Sequence, residues 1–279
     1  VERIQDGPEL AKISNIVADA LEEGQIPWRI HHLPRSVSTG KVFAGVNPIL
    51  LQIAARRLNC SSRFWGSASD WLSVGSKVLQ PQQAVHVFRD DPSAQEAVFN
   101  WEQTDLAFTP PAMTYGPAAD VLDQIIDRAG IKVHYHFGTK CVYLPGEDCI
   151  KMPDKLMFVL GPGGEPGFMD ALAHEAFHWS ESRVGWRASY ELSELRAEVG
   201  AGYLLAALGV RPLPLHLARH HRQFAPVWSM MLRIQPSLLF KIVADVCATV
   251  DWLLGLASTS ILWKEVCHVR EGSPQVTNL

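Results

Sequence analysis

The segment Ala171-Leu-Ala-His174-Glu175-Ala-Phe-His178-Trp179 constrains the fold of this chain more than any other feature. It sets two imidazoles four residues apart in an apolar run, and in a helix that spacing puts both on one face, one turn apart. Their nitrogens can then converge on one tetrahedral zinc ion. Glu175 lies beside such an ion, placed to take a proton from water whose pKa the metal lowers to about 7, and to pass it to a leaving amine. Ala173, Ala176, Phe177 and Trp179 offer the histidines no charged neighbour. A buried, unpaired polar trio carries a heavy desolvation cost, which a metal removes.

A catalytic zinc usually takes a third protein ligand. The following stretch, Ser189-Tyr-Glu191-Leu-Ser-Glu194-Leu-Arg-Ala-Glu198-Val-Gly-Ala, offers Glu191, Glu194 and Glu198. Glu194 and Glu198 share a helical face, which suits a division of labour: Glu194 ligates, and Glu198 accepts the free N–H of a ligand histidine. Glu191 reads as solvated. The small residues Ala197, Gly200, Ala201 and Gly202 allow two helices to pack at the short end of the usual range of about 8–10 Å between axes.

With 279 residues, 47% of them hydrophobic and 19% charged, the chain reads as globular and long enough for two compact units. The expected class is α+β: an N-terminal α+β domain over residues 1–108, a Pro/Gly-punctuated linker over 109–118, a mostly helical domain with a small sheet over 119–265, and a tail over 266–279. Helical spacing predicts helices at Leu10–Glu23, Asn47–Leu58, Ala119–Ala129, Phe168–Ser182, Ser189–Leu208, Leu215–Ile234 and Ser237–Leu256. Strands are expected at Ala84–Phe88, Glu96–Trp101, Lys132–Phe137, Cys141–Leu144 and Cys149–Met152. The absence of a long apolar run and of a leader pattern makes the expected location cytoplasmic. Five scattered cysteines without a C-x-x-C pair read as free, mostly buried thiols.

The net charge of −4 conceals a basic stretch: Gly24 to Ser69 contains no Asp or Glu, yet holds Arg29, Arg35, Lys41, Arg56, Arg57 and Arg63, with His31 and His32. Trp28, Phe43, Phe64 and Trp65 are interleaved with them. Basic grooves with aromatic stacking faces bind single strands, so Trp28, Arg29, Arg35, Lys41, Arg57, Arg63 and Trp65 are the candidate contacts to single-stranded DNA. The alternative is that Phe43 and Phe64 are core and the arginines an ordinary solvated surface. His134 and His136 share a strand face without a further ligand and read as surface histidines; His220 and His221, on a later helix, could supply a transition-state donor, a role the sequence alone does not assign them.

These motifs together resemble the ArdC-type antirestriction proteins. The His174–Trp179 run, Tyr190, Glu194-Leu-Arg-Ala-Glu198, Gly200 to Gly209 and Ile150-Lys-Met-Pro153 are similar to that family's zincin-like metallopeptidase domain. Ile16–Leu21, Glu22-Glu-Gly24, Ile26-Pro-Trp28, Thr39-Gly-Lys-Val-Phe43, Gly45-Val-Asn47 and Leu50-Leu51 resemble its N-terminal single-strand-binding domain. The resemblance implies zinc held by His174, His178 and Glu194, since Glu194-Leu-Arg-Ala197 fits a related Glu-x-x-Ala pattern. It also implies Glu175 as base, single-stranded DNA and a protein substrate as partners, and protection of incoming plasmid DNA during conjugation. Two departures stand out: Val74–Gln83 carries only Lys77 where the family has a Gly/Lys-rich stretch, and Ser180-Glu-Ser182 replaces Thr-Gly-His. The alternatives are a DNA-shielding protein with a structural zinc, and a regulatory zinc peptidase that cleaves a repressor.

Overall fold

A computed structural model of the chain describes residues 7–88, 94–111, 118–213 and 219–257. Its class is mixed α+β. The order begins with α1 (Pro8–Glu22), β1 (Arg35–Ser36), α2 (Asn47–Arg57), β2 (Phe64–Gly66), α3 (Ala68–Ser73), β3 (Val85–Phe88) and β4 (Gln95–Asn100). It continues with α4 (Ala118–Arg128), β5 (Lys132–His136), β6 (Val142–Leu144), β7 (Cys149–Pro153), α5 (Lys155–Val159), α6 (Gly164–Val184), α7 (Tyr190–Ala207), α8 (Arg219–Ile234) and α9 (Ser237–Leu256). One sheet runs β1-β2-β4-β3, parallel only between β1 and β2; the other runs β5-β7-β6, parallel only between β5 and β7. This leaves β6 an edge strand.

Most of the expected elements are present. The motif helix starts four residues earlier than expected, at Gly164, with Pro166 inside its first turn, where a missing N–H costs nothing. Elements of two to six residues, β1, β2, α3 and α5, escaped periodicity because they are too short to display one. Several expectations lie wholly or partly outside the described residues: most of the linker, the turn at 89–91, the start of the helix placed at Leu215, the last residues of the second domain, Cys267 and the tail.

The core does not stop at the linker. One cluster of buried side chains joins Ile13, Val17, Trp28 and Ile49 from the first half to Phe177, Leu204, Trp228, Ile242 and Val250 from the second. α1 packs on α8, where Ser229 and Arg233 hydrogen-bond Glu22 and Arg233 also meets Asp19. The N-terminal sheet keeps smaller clusters of its own, around Trp65 with Leu51, Val87 and Val98, and around Trp71 with Val37 and Phe64. The four described cysteines are free, with Cys149 buried and the others half-buried.

α7 is squeezed from two sides. A Cβ on Gly200 would lie 2.2 Å from the ring of Phe177 on α6, and one on Gly202 would lie 2.2 Å from the carbonyl oxygen of Trp28. Phe177 is fully buried and has no room to turn aside. Gly200→Ala is therefore expected to destabilise the fold by about 1–3 kcal/mol or more. Urea unfolding would measure it, and an unchanged midpoint would show that the two helices can separate freely.

Candidate metal centre

Phe168, Leu172, Ala173, Ala176, Phe177 and Trp179 bury α6 on several sides, so its two histidines face a cavity of about 650 Å³ that it shares with α7 and β6. His174 Nε2 and His178 Nε2 lie 3.1 Å apart. From α7, Glu194 brings one carboxylate oxygen to 3.4 Å from His174 Nε2 and the other to 3.6 Å from His178 Nε2. The second nitrogen of each ring meets another carboxylate: His174 Nδ1 is 3.3 Å from Glu198, and His178 Nδ1 is 3.1 Å from Glu181.

This donor set fits a divalent ion. Carboxylates at both Nδ1 atoms hold the ring protons there, which turns two Nε2 lone pairs and a carboxylate towards one point. One ligand atom from each of His174, His178 and Glu194 lies within 4.8 Å of the others. Burial is the largest influence on His174 and opposes its charge, but hydrogen bonds to Glu194 and Glu198 and nearby carboxylate charge outweigh it, and its pKa stands well above the usual value. Burial also opposes charge on Glu198, yet His221, His174 and Arg29 bring its pKa down to about 2.

Glu175 is buried beside this group, and its Oε2 accepts the backbone N–H of Tyr143 on β6 at 2.7 Å. Tyr190, at the start of α7, lines the same cavity. Partial burial and a hydrogen bond to Glu194 push its pKa up to about 12, so the phenol keeps its proton. Cys141 also lines the cavity, but burial and the Glu175 charge push its thiol up to about 12, far from a ligating thiolate.

What holds α6 to α7 is a buried cation. Arg196 is fully buried and gives hydrogen bonds to Asp245 (2.5 Å), Phe177 O (2.9 Å), Ser180 Oγ (3.1 Å) and Thr249 Oγ1 (3.0 Å), which tie α6, α7 and α9 together.

The sequence missed three outer partners. Glu181 stands three residues after His178, within the Ser180-Glu-Ser182 departure. His221 Nε2 lies between Glu198 Oε2 (2.7 Å) and Arg29 Nη2 (2.8 Å). Arg29, expected at DNA, is 6% exposed and also meets Asp170 (3.1 Å) and the carbonyl of Leu213 (3.2 Å). The i,i+3 spacing of Glu181 was a usable signal; Arg29 and His221 converge only through the tertiary fold.

Two further DNA candidates are corrected by burial. Trp28 is fully buried against Trp228, ring centroids 5.6 Å apart, and Trp65 is 1% exposed in its own cluster. Neither ring offers a face to a base. Lys41 is exposed, and Arg57 is on the surface, 3.4 Å from Glu23. Arg35 is half-buried with a hydrogen bond to Gly40 O, and Arg63 lies over the Phe64 ring.

Comparison with known proteins places this geometry. Residues 8–107 match the N-terminal domain of the anti-restriction factor ArdC, and residues 120–245 match a zincin-like metallopeptidase domain. The chain belongs to the ArdC-type family. The solved structures of the antirestriction ArdC protein from plasmid R388 superpose with TM-scores of 0.72 for the Mn(II)-bound and 0.68 for the metal-free form, both at 23% identity. They cover 90% of this ArdC-type chain and 99% and 98% of their own. Two Escherichia coli proteins named DNA primase TraC match at 22% and 28% identity over 89% and 90% of the chain. The chain spans only 20% and 27% of those proteins' lengths.

Glu198→Gln weakens the outer partner of His174 and is expected to lower divalent-ion affinity about 10- to 100-fold, read by chelator competition. The depressed pKa of Glu198 also sets a pH window. Its carboxylate contributes stability in full above the ordinary value of 4.5, and loses it as pH falls towards 2. The stability gap between the metal-free variant and the parent protein should close over that interval; a gap independent of pH would contradict the assignment.

Proposed function

We propose that this chain is a metal-dependent peptidase of the antirestriction type, whose N-terminal half (residues 1–108) holds single-stranded DNA and whose zincin-like half (residues 119–265) hydrolyses a peptide bond in a protein met there. Zinc is the ion proposed, at His174, His178 and Glu194. The observation that carries the reading is the meeting of two imidazoles, a ligating carboxylate and a separately anchored Glu175 in one cavity.

Held by His174, His178 and Glu194, an ion would supply a lowered pKa for water and polarisation of a scissile carbonyl. Glu175 Oε2 is anchored by the Tyr143 N–H, which leaves Oε1 to accept a proton and hand it to the leaving nitrogen. Tyr190 keeps its proton at neutral pH and donates to the charge that develops on the carbonyl oxygen. Glu198 and Glu181 hold the ligand rings in their tautomers throughout. On the DNA side, Lys41, Arg35, Arg57 and Arg63 are the proposed phosphate contacts, since binding that rests on phosphates needs charge more than stacking.

Glu175→Gln is expected to abolish cleavage of a quenched casein substrate, assayed with and without single-stranded DNA, while metal content and DNA affinity stay unchanged. Tyr190→Phe should lower turnover about 10²- to 10³-fold without loss of metal. Cleavage that survives Glu175→Gln sinks the mechanism. Antirestriction undiminished in that variant would favour a shielding protein instead.

A further inference from the structure

Behind the loop that carries Arg29 lies a second cavity, of about 170 Å³, between α2 and the segment leading into β2. His31, His32, Gln52, Arg56, Ser62 and Arg63 line it, and none of the described lining residues is acidic. Glu102, which meets the lining residues Ser61 and Ser62, is already taken by their N–H groups and by the Ser61 hydroxyl. Arg56 and Arg57 end α2 side by side, but their situations differ. Arg57 is exposed and paired with Glu23, whereas Arg56 is half-buried and, among the described residues, hydrogen-bonds the carbonyl of Arg29, at 3.5 Å. Arg56 Nη1 is buried and finds no hydrogen-bond partner among the described residues. A buried guanidinium nitrogen without an acceptor is costly, and the cost falls away when an anion enters.

We infer that this cavity is an anion site that takes a phosphate group of nucleic acid, held by the guanidinium groups of Arg56 and Arg63 with His31 and His32 beside them. The inference rests on the single-strand reading above and gives it a seat, in place of the aromatic faces that Trp28 and Trp65 do not provide. Guanidinium forks match phosphate oxygens in pairs, and two of them with two imidazoles, and with no carboxylate among the described lining residues, form a cradle suited to such a group. The positive field of the site is already felt by its own members. Burial, then the charges of His31, Arg63 and Arg211, bring the pKa of His32 down to about 4, and burial with Arg211 lowers that of His31. A phosphate in the cavity would offset that repulsion and move both histidines upward.

The phosphate could be an internal phosphodiester or a terminal or free phosphate, and three probes separate them: a dT oligonucleotide, the same oligonucleotide with a 5′-phosphate, and inorganic phosphate. The full chain and its Arg56→Gln and Arg63→Gln variants would be titrated with each over a range of salt. The histidine resonances of the unchanged chain would be followed by NMR. Each substitution is expected to weaken oligonucleotide binding about tenfold or more and to reduce the slope of log K against log salt by about 0.7 per lost contact. Equal affinity for the two oligonucleotides assigns an internal phosphodiester; preference for the 5′-phosphate, or response to inorganic phosphate alone, assigns a terminal or free one. Oligonucleotide binding by the unchanged chain with no movement of His31 or His32, or with both variants matching it, overturns the cavity and leaves single-strand binding standing. Inorganic phosphate that moves both histidines while no oligonucleotide binds at low salt overturns the single-strand reading and leaves the cavity. No response to any probe overturns both, and the NMR arm decides even where a variant fails to fold.

Discussion

The site depends on how closely α6 and α7 approach. His174 and His178 ride on one helix and Glu194 on the other, so a fraction of an ångström between axes decides whether three ligand atoms share one centre. Gly200 removes the side chain that would stand against Phe177, and Arg196 bridges the same two helices with hydrogen bonds to Phe177 O and Ser180 Oγ. A fully buried arginine is tolerable only when its donors are answered; here Asp245 supplies the charge and two neutral oxygens and a carbonyl the rest. Removing one partner would leave that charge uncompensated, so the clamp fixes geometry as well as stability.

The N-terminal half takes part in the metal region and is more than an attachment. The turn after α1 lays the Trp28 carbonyl against Gly202, buries the Trp28 ring on Trp228, and sends Arg29 towards Asp170 and His221. From there the contacts run through Glu198 to His174. Each carboxylate on this line meets a basic group, Asp170 with Arg29 and Glu198 with His221 and His174, which is how several charges can be buried together at bearable cost. The carbonyl of Arg29 also receives Arg56, so one short segment touches both the outer shell of the metal ligands and the basic cavity.

What could be read from the sequence follows from what leaves a local pattern. The i,i+4 spacings of His174 with His178 and of Glu194 with Glu198 are local, and the structure brings these four residues together. The small residues at 197–202 were legible as a close-packing surface for the same reason. Helix amphipathicity was no guide to α6 and α7, which are buried on most sides and so carry apolar residues all round. The first half misled where composition stood in for geometry: basic and aromatic residues interleave both in a binding groove and in loops and strands folded into a core. Trp28, Arg29 and Trp65 belong to the second case. Residues that meet only in three dimensions, Arg29 with His221 above all, leave no trace in spacing.

The central claim is that His174, His178 and Glu194 hold one divalent ion that the fold keeps in place. Elemental mass spectrometry of the purified chain beside a His174→Ala variant, prepared identically and shown to be folded by circular dichroism, addresses it directly. The account predicts about one zinc per chain, in keeping with a single three-ligand site, and its loss in the variant. A folded chain that carries no divalent metal, or a variant that retains it in full, would contradict the account.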